Sequence, residues 1–165
     1  MDALALLHQD HVKVASLFNQ YVMTDDRENK NWVVDQILSE LMMHAQIEET
    51  IVYPALREKS ASPDVGMAYE EHHLAEIVMC QLTELEPGSE DFSVKLATLK
   101  DLVAKHVEME ERVLFEQALR VLGPDRLREL GAQIEAKKAE LKAQAPRLSV
   151  TMMPETPQTQ PTEQA

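Results

Sequence analysis

The chain has 165 residues and a formal net charge of −13 at pH 7. Nucleic acids and anionic membranes are bound through basic surfaces, so this acidic charge argues against both as partners. The chain has only four glycines and 4% aromatic residues. Because it is also rich in residues that lose little freedom in a helix, the composition predicts an all-α protein.

The sequence carries no sign of export or membrane insertion. The amino terminus lacks the basic start and long apolar run of a signal peptide, and no stretch reaches the apolar length of a transmembrane helix. The single cysteine, Cys80, cannot form an internal disulfide. A cytoplasmic location is therefore the expectation, and the composition leaves open a protein partner or a homo-oligomer.

Apolar residues recur at helical spacing through most of the chain, which predicts five helices joined by short polar segments. The predicted helices span residues 3–22, 31–59, 63–86, 90–122 and 125–144. Ser62 before Pro63, and Ser89 before two acidic residues, are typical of helix starts. Gly123 and Pro124 separate the fourth helix from the weakly amphipathic fifth.

Four long helices with short connections predict an up-down-up-down four-helix bundle. We assign residues 1–122 to the bundle and residues 123–145 to an accessory C-terminal helix that packs on its outside. Residues 146–165 are rich in Pro, Thr and Gln, with few large apolar groups, and are predicted to form a disordered tail.

Three of the six histidines are followed four residues later by a glutamate. Residues at this spacing lie on one face of a helix, so each pair offers a nitrogen and a carboxylate to one point in space. The pairs are His44 with Glu48, His72 with Glu76, and His106 with Glu110. A further histidine, His11, is expected at a similar height in helix one.

Each pair lies within an apolar stripe, where polar groups are costly unless they find partners. Bound cations would satisfy three glutamates and four histidines that meet in one layer. Seven side chains are too many for one tetrahedral ion, but they suit two six-coordinate ions that share carboxylates. Imidazole and carboxylate ligands without sulfur favour iron or manganese over structural zinc. A di-iron centre is the leading interpretation.

This order of motifs resembles the hemerythrin-like, or HHE cation-binding, domain family. The resemblance covers roughly residues 3–122 and rests on four short stretches. They are Gln9-Asp10-His11, His44 through Glu48-Glu49 to Tyr53-Pro54, Glu71-His72-His73, and His106 through Glu110-Glu111 to Phe115.

The resemblance implies a non-haem di-iron centre with an oxo or hydroxo bridge, in which Glu48 and Glu110 are bridging carboxylates. Two iron ions are implied ahead of manganese or zinc. The terminal nitrogen ligands that it implies are His11, His44, His72 and His106. Oxygen carriers of the family have His-x-x-x-His in helix three, whereas this chain has Glu76 four residues after its helix-three histidine.

Glu76 therefore bears on the function that the resemblance implies. If Glu76 is a ligand, an anionic oxygen replaces a neutral nitrogen and stabilises Fe(III) over Fe(II), which disfavours reversible oxygen carriage. We expect a small diatomic or peroxide ligand and a catalase- or peroxidase-like reaction that counters oxidative stress. One alternative is a module that binds or senses O₂, NO or iron without turnover. Another is a helical bundle with polar core pairs and no metal.

Three further residues near the candidate ligands each have two interpretations. His8, one turn before the helix-one histidine, lies either beside the ligands or in solvent. His73 competes with His72 for one ligand position, and the apolar arc of helix three favours His72. Tyr69 either hydrogen-bonds or coordinates at the site, or packs in the core. Tyr53 is expected to be a packing residue near a helix irregularity.

Overall fold

The computed structural model describes residues 1–144, and nearly all of them are helical. The segments are α1 (Ala3–Met23), α2 (Arg27–Ile47), π1 (Glu48–Val52), α3 (Tyr53–Lys59), α4 (Pro63–Thr83), α5 (Glu90–Met109), π2 (Glu110–Leu114) and α6 (Phe115–Gln144). Among these residues there is no strand. The prediction of an all-α protein is confirmed.

Side-chain caps determine where the helices begin. The side chains of Asp2, Ser62 and Ser89 each accept a hydrogen bond from a backbone N–H in the first turn of α1, α4 and α5, an arrangement that stabilises a helix start. Asp26 does the same for α2. This helix therefore begins at Arg27 and not at residue 31, because the polar segment before it supplies a cap that the apolar pattern does not reveal.

Two of the long helical rods contain a π-helical turn. The segments α2, π1 and α3 form one continuous rod, and α5, π2 and the first part of α6 form another. In each rod the backbone N–H of an aromatic residue, Tyr53 or Phe115, donates to a glutamate carbonyl five residues earlier. The irregularity expected near Tyr53 is thus π1. No proline marks π2, and the sequence did not predict it.

The rod that contains π2 bends sharply at Gly123. This residue has a φ of +72°, which glycine adopts without steric cost, and Pro124 follows it. Beyond the bend Leu127, Leu130 and Ile134 are buried, and α6 packs against α1. The predicted accessory helix is therefore present as the second half of α6.

Consecutive rods pack side by side, α1 along α2 and α4 along α5, and form the predicted four-helix bundle. Two apolar clusters fill its core, one on each side of a layer of buried polar residues. The first cluster includes Leu7, Leu56, Val65 and Leu114, and the second includes Leu17, Leu38, Leu82 and Leu99. Six of the seven candidate ligands lie in this polar layer, and Glu76 does not.

The accessory half of α6 approaches the amino terminus closely at Gly131. A Cβ atom there would lie 2.3 Å from the carbonyl oxygen of Met1 and 3.1 Å from the Cα of Asp2. We expect Gly131→Ala to lower the free energy of unfolding by at least about 1 kcal/mol, because relieving the overlap moves the residue that caps α1. Urea denaturation measures this change.

Gly66→Ala is the matched control, since a Cβ at that helical position meets nothing within 4 Å. It should raise the free energy of unfolding by about 0.5–1 kcal/mol, because alanine loses less conformational freedom in a helix than glycine. If Gly131→Ala were as stable as Gly66→Ala, the close approach of the amino terminus to α6 would be refuted.

The long helices pack their apolar faces into the bundle. Within residues 1–144, none of them has the length and apolar character needed to cross a membrane. The predicted disordered tail, residues 146–165, lies outside the described residues.

Candidate metal centre

Six buried side chains converge in the polar layer between the two apolar clusters. They form two groups that share a glutamate, and the donor atoms within each group lie within 4.8 Å of one another. The first group is His11, His44, Glu48 and Glu110, and the second is Glu48, His72 and His106. Either group could hold a metal ion.

The four histidines form two pairs whose Nε2 atoms face each other. His11 Nε2 lies 3.2 Å from His44 Nε2, and His72 Nε2 lies 3.0 Å from His106 Nε2. Two nitrogens that are each about 2.1 Å from one ion, at a right angle, are about 3.0 Å apart. The spacing within each pair is therefore suitable for two nitrogen ligands of one metal ion.

The two glutamates lie between the histidine pairs. Glu48 Oε2 is 3.2 Å from both His44 Nε2 and His72 Nε2, one nitrogen from each pair. Glu110 Oε2 is placed in the same way, 3.4 Å and 3.3 Å from the remaining nitrogen of each pair. Each carboxylate can therefore contact ligands of two adjacent ions at once.

Two carboxylate oxygens in this layer lack a hydrogen-bond partner, namely Glu48 Oε1 and Glu110 Oε2. An unpartnered carboxylate oxygen in the interior is costly. A cation bound between the histidine pairs would remove that cost, because it would draw on oxygen and nitrogen lone pairs together. The donor set thus fits a metal ion better than it fits a self-contained network of hydrogen bonds.

Four more carboxylates surround the layer, each facing the Nδ1 atom of one histidine. The pairs are Glu111 with His11 at 2.8 Å, Asp10 with His44 at 3.5 Å, Glu49 with His72 at 2.8 Å, and Glu71 with His106 at 2.9 Å. A carboxylate at Nδ1 keeps the proton on that nitrogen, which leaves Nε2 free to bind a metal. Each outer carboxylate is adjacent in sequence to a candidate ligand. This adjacency is the sequence signal that could have identified Asp10 and Glu71 as partners of the histidines.

The two halves of the bundle repeat one arrangement. The stretch from His44 to Tyr53 matches the stretch from His106 to Phe115, because both contain His-x-x-x-Glu-Glu and an aromatic residue four positions later. The repeat differs at the aromatic residue. Phe115 stacks against the ring of His11, whereas Tyr53 brings a hydroxyl group into the centre of the site.

Tyr53 is the functional candidate that sequence reasoning missed, since it was expected only to pack. Its hydroxyl lies 2.6 Å from Glu110 Oε1, 3.2 Å from Glu48 Oε2 and 3.4 Å from His72 Nε2. Burial and the two negative carboxylates raise the pKa of the phenol far above its usual value. Tyr53 therefore stays protonated and donates its hydrogen bond to Glu110, the nearer carboxylate.

The structure does not bring Glu76 to the other candidate ligands. Its side chain is 68% exposed and lies 3.9 Å from His73 Nδ1 on the surface. The buried face of α4 continues from His72 to Ala75, which lines a cavity beside the site. Glu76 lies one residue further, about 100° around the helix, and so faces solvent. The interpretation of Glu76 as a metal ligand has no geometric support.

The three residues with open interpretations lie around the site. His73 is 65% exposed, whereas His72 is buried among the converging groups. His8 is 58% exposed, and its Nδ1 lies 2.8 Å from Glu111 Oε1, so it contacts an outer carboxylate. The hydroxyl of Tyr69 donates to the backbone carbonyl of Glu49 and does not enter the centre.

Charge pairing shifts the ionisation of the buried groups. Burial alone would raise the pKa of Glu110, but the close approach of His106 and His11 and the positive charge of the neighbouring histidines hold it well below its usual value. Burial alone would lower the pKa of His106, but Glu110 outweighs this and raises it to about 9. The pKa of His11 is also raised, since bonds to glutamates outweigh its burial.

These shifts predict that the metal-free protein becomes less stable as the pH rises. A histidine whose pKa is raised by folding stabilises the folded protein. This stabilisation is complete below about pH 6.5, the pKa of histidine in the unfolded chain, and it is lost as the pH rises through the pKa in the folded protein. For His106 that window ends near pH 9. The expected slope is about 1.4 kcal/mol per pH unit for each such histidine. Urea denaturation of chelator-treated protein at pH 6, 7.5 and 9 tests this, and equal stability at all three would contradict it.

A small apolar cavity opens onto the histidines. Its volume is about 40 Å³, and apolar side chains that include Val14, Leu41, Met79 and Val103 line it. A volume of this size holds only a few water-sized molecules. The cavity has room for a diatomic molecule or peroxide next to the candidate ligands.

Comparison with known proteins agrees with this geometry. The family model for the hemerythrin HHE cation-binding domain matches residues 2–118. A crystal structure of a hemerythrin HHE cation-binding domain-containing protein from Mycobacterium kansasii matches with a TM-score of 0.78 and 23% identity, over 87% of this chain and 88% of that chain. At that identity the likeness shows the fold alone.

A curated relative, a DNA nickase from Nostoc sp., is 26% identical over 141 residues, which are 86% of this chain and 40% of the relative. The chain thus spans about two fifths of the length of the curated relative that it matches. The family match, in contrast, covers well over half of this chain and includes all six converging residues. The chain belongs to the hemerythrin HHE cation-binding domain family.

Proposed function

We propose that the buried layer binds two iron ions. One ion would be held by the pair His11 and His44 and the other by the pair His72 and His106, with Glu48 and Glu110 bridging the two. The observation that carries this proposal is the position of the two carboxylates between the histidine pairs, each with an oxygen that no hydrogen bond satisfies.

The number and type of donors favour iron. Two nitrogens and two shared carboxylates for each ion leave coordination positions open, as a reactive centre needs. Nitrogen and oxygen donors without sulfur suit iron or manganese, and a closed tetrahedral zinc site would need neither the shared carboxylates nor the adjoining cavity. Iron is proposed over manganese on the family resemblance.

We propose further that the loaded site disproportionates hydrogen peroxide. In one cycle a peroxide molecule takes up two electrons and two protons and becomes two water molecules, while a second gives up two electrons and two protons and becomes O₂. Bound iron would supply the redox chemistry that exchanges these electrons. The cavity beside the histidines, about 40 Å³ in volume, would admit peroxide.

The ligand set supports turnover over oxygen carriage. Oxygen carriers of the family use a second histidine from helix three, and here the corresponding residue, Glu76, points into solvent. The hydroxyl of Tyr53 lies 3.4 Å from His72 Nε2. This phenol keeps its proton and donates a hydrogen bond of 2.6 Å to Glu110, so it orients that carboxylate within the proposed site.

The test is O₂ release from peroxide by iron-loaded protein, followed with an oxygen electrode. We expect sustained O₂ release in a ratio of one O₂ to two peroxide molecules, and equal release from a His73→Ala variant, because His73 lies outside the site. Iron-loaded protein that is inert to peroxide would overturn the proposed reaction. A reversible O₂ spectrum without peroxide turnover would overturn it in favour of an oxygen-binding module.

A further inference from the structure

Lys138, on the accessory half of α6, forms an ion pair with a residue next to the candidate ligands. Its Nζ atom lies 2.6 Å from Asp10 Oδ1, and the Lys138 and Asp10 side chains are only 16% and 11% exposed. Asp10 is the outer carboxylate that faces His44. A cation from outside the four-helix bundle thus reaches the immediate surroundings of the polar layer.

This ion pair distinguishes Asp10 from the other three outer carboxylates. Within residues 1–144, no lysine or arginine forms an ion pair with Glu49, Glu71 or Glu111. Those three lie 2.8–2.9 Å from the Nδ1 atom of their histidines. Asp10 Oδ2 lies 3.5 Å from His44 Nδ1, at the limit of a hydrogen bond.

The difference has a direct electrostatic reason. The ammonium group of Lys138 attracts the Asp10 carboxylate, offsets its negative charge and donates to Oδ1, whereas His44 lies nearest to Oδ2. A buried carboxylate whose charge is offset by a full ammonium charge is a weaker acceptor for a second donor. Glu111, whose additional partner is the exposed His8, keeps its 2.8 Å contact with His11. Each half of the site has two histidines. The halves therefore differ in one respect, because His44 has a weaker carboxylate contact at Nδ1 than the other three histidines.

We infer that Lys138 is a positioning residue for the metal centre, which holds Asp10 back from His44 and so makes the two metal positions unequal. The inference rests on the proposed metal binding. A close carboxylate at Nδ1–H makes imidazole a stronger metal ligand. His44 is accordingly the weakest donor of the four, and the ion that it helps to hold is the more loosely bound of the two.

Removing the ammonium group should tighten that position. In Lys138→Met the Asp10 carboxylate is free to approach His44. Its negative charge, no longer offset by the ammonium group, then favours binding of a metal ion by His44. Partners of this kind change metal affinity by about 10–100-fold, so we expect about a tenfold gain at one of the two positions and no change at the other. Lys138→Arg keeps the cation and should behave like the wild-type protein.

The matched control is Lys137→Met, because Lys137 is the adjacent residue of the same helix and pairs with Glu140 on the surface. A second control is the double variant Lys138→Met with Asp10→Asn. If Lys138 acts through Asp10, its removal should have no effect on metal affinity once Asp10 has lost its charge. If Lys138→Met only weakened the packing of α6, it would lower the free energy of unfolding both in the wild-type background and in the Asp10→Asn background.

Two readouts decide the matter. Titration of metal-free protein with Co(II), followed by absorption, should resolve two binding steps, of which Lys138→Met strengthens the weaker one. The His44 Nδ1–H proton resonance of the metal-free protein should move downfield in Lys138→Met, as expected for a shorter hydrogen bond, and stay in place in Lys137→Met.

Unchanged affinities together with an unchanged His44 resonance would overturn the inference, and so would an equal effect in the Asp10→Asn background. A wild-type protein that bound no Co(II) would refute the proposed metal binding, and with it the effect of Lys138 on metal. The His44 resonance would still show separately whether Lys138 controls the Asp10 contact.

Discussion

Glu110→Gln is expected to abolish tight metal binding while the protein remains folded. Glutamine has nearly the same shape as glutamate, but its neutral amide cannot share a negative charge between two ions. Residues that only support a ligand already change metal affinity by about 10–100-fold, so loss of a bridging carboxylate should exceed about 100-fold. Iron analysis after anaerobic loading and gel filtration measures this loss, and circular dichroism checks the fold.

Glu76→Gln is the matched control for Glu110→Gln. Both changes convert the glutamate of a His-x-x-x-Glu pair, but Glu76 is exposed and Glu110 is buried. Glu76→Gln should retain the full iron content of the wild-type protein. Loss of iron from both variants to the same extent would mean that Glu76 turns inward as a ligand, against the position found here.

Tyr53→Phe is expected to destabilise the metal-free protein by about 2 kcal/mol. The change removes the hydrogen bond to Glu110, and bonds to charged groups contribute about 1.5–3 kcal/mol. A buried, ionised Glu110 would then lose its shortest partner. Urea denaturation of chelator-treated protein near pH 6 measures the change without interference from metal.

Tyr69→Phe provides the comparison for Tyr53→Phe. The hydroxyl of Tyr69 donates to the neutral backbone carbonyl of Glu49, and such bonds contribute only about 0.5–1.5 kcal/mol. Tyr53→Phe should therefore cost more than Tyr69→Phe, although both variants lose one oxygen atom. If the two costs were equal, the Tyr53 hydroxyl would not be bonded to an ionised carboxylate.

Much of the fold could be predicted from apolar spacing and helix caps, because a bundle of long amphipathic helices depends on local rules. Ser62 and Ser89 are examples, since their caps start α4 and α5 as expected. The π-helical turns could not be predicted in the same way. They arise where the apolar pattern is continuous, and only Pro54 marked one of them.

The candidate site was only partly predictable, because the His-x-x-x-Glu spacing fixes a shared helix face but not the direction of that face. In α4 the buried face passes through His72 and Ala75 and leaves Glu76 in solvent. The hydroxyl of Tyr53 enters the site because the π-helical turn π1 places Tyr53 one turn after Glu48, five residues earlier, on the same face of the rod. The contact between Lys138 and Asp10 joins residues 128 positions apart, a separation that no local pattern spans.

We have proposed that the buried histidine and glutamate layer holds two metal ions. An anaerobic titration of metal-free protein with Fe(II), with metal content measured by atomic emission after removal of unbound iron, tests this proposal. The expected result is two iron ions per chain in the wild-type protein and a large loss in Glu110→Gln. One tetrahedral zinc ion per chain in the isolated protein, with no stable iron binding on titration, would contradict the claim.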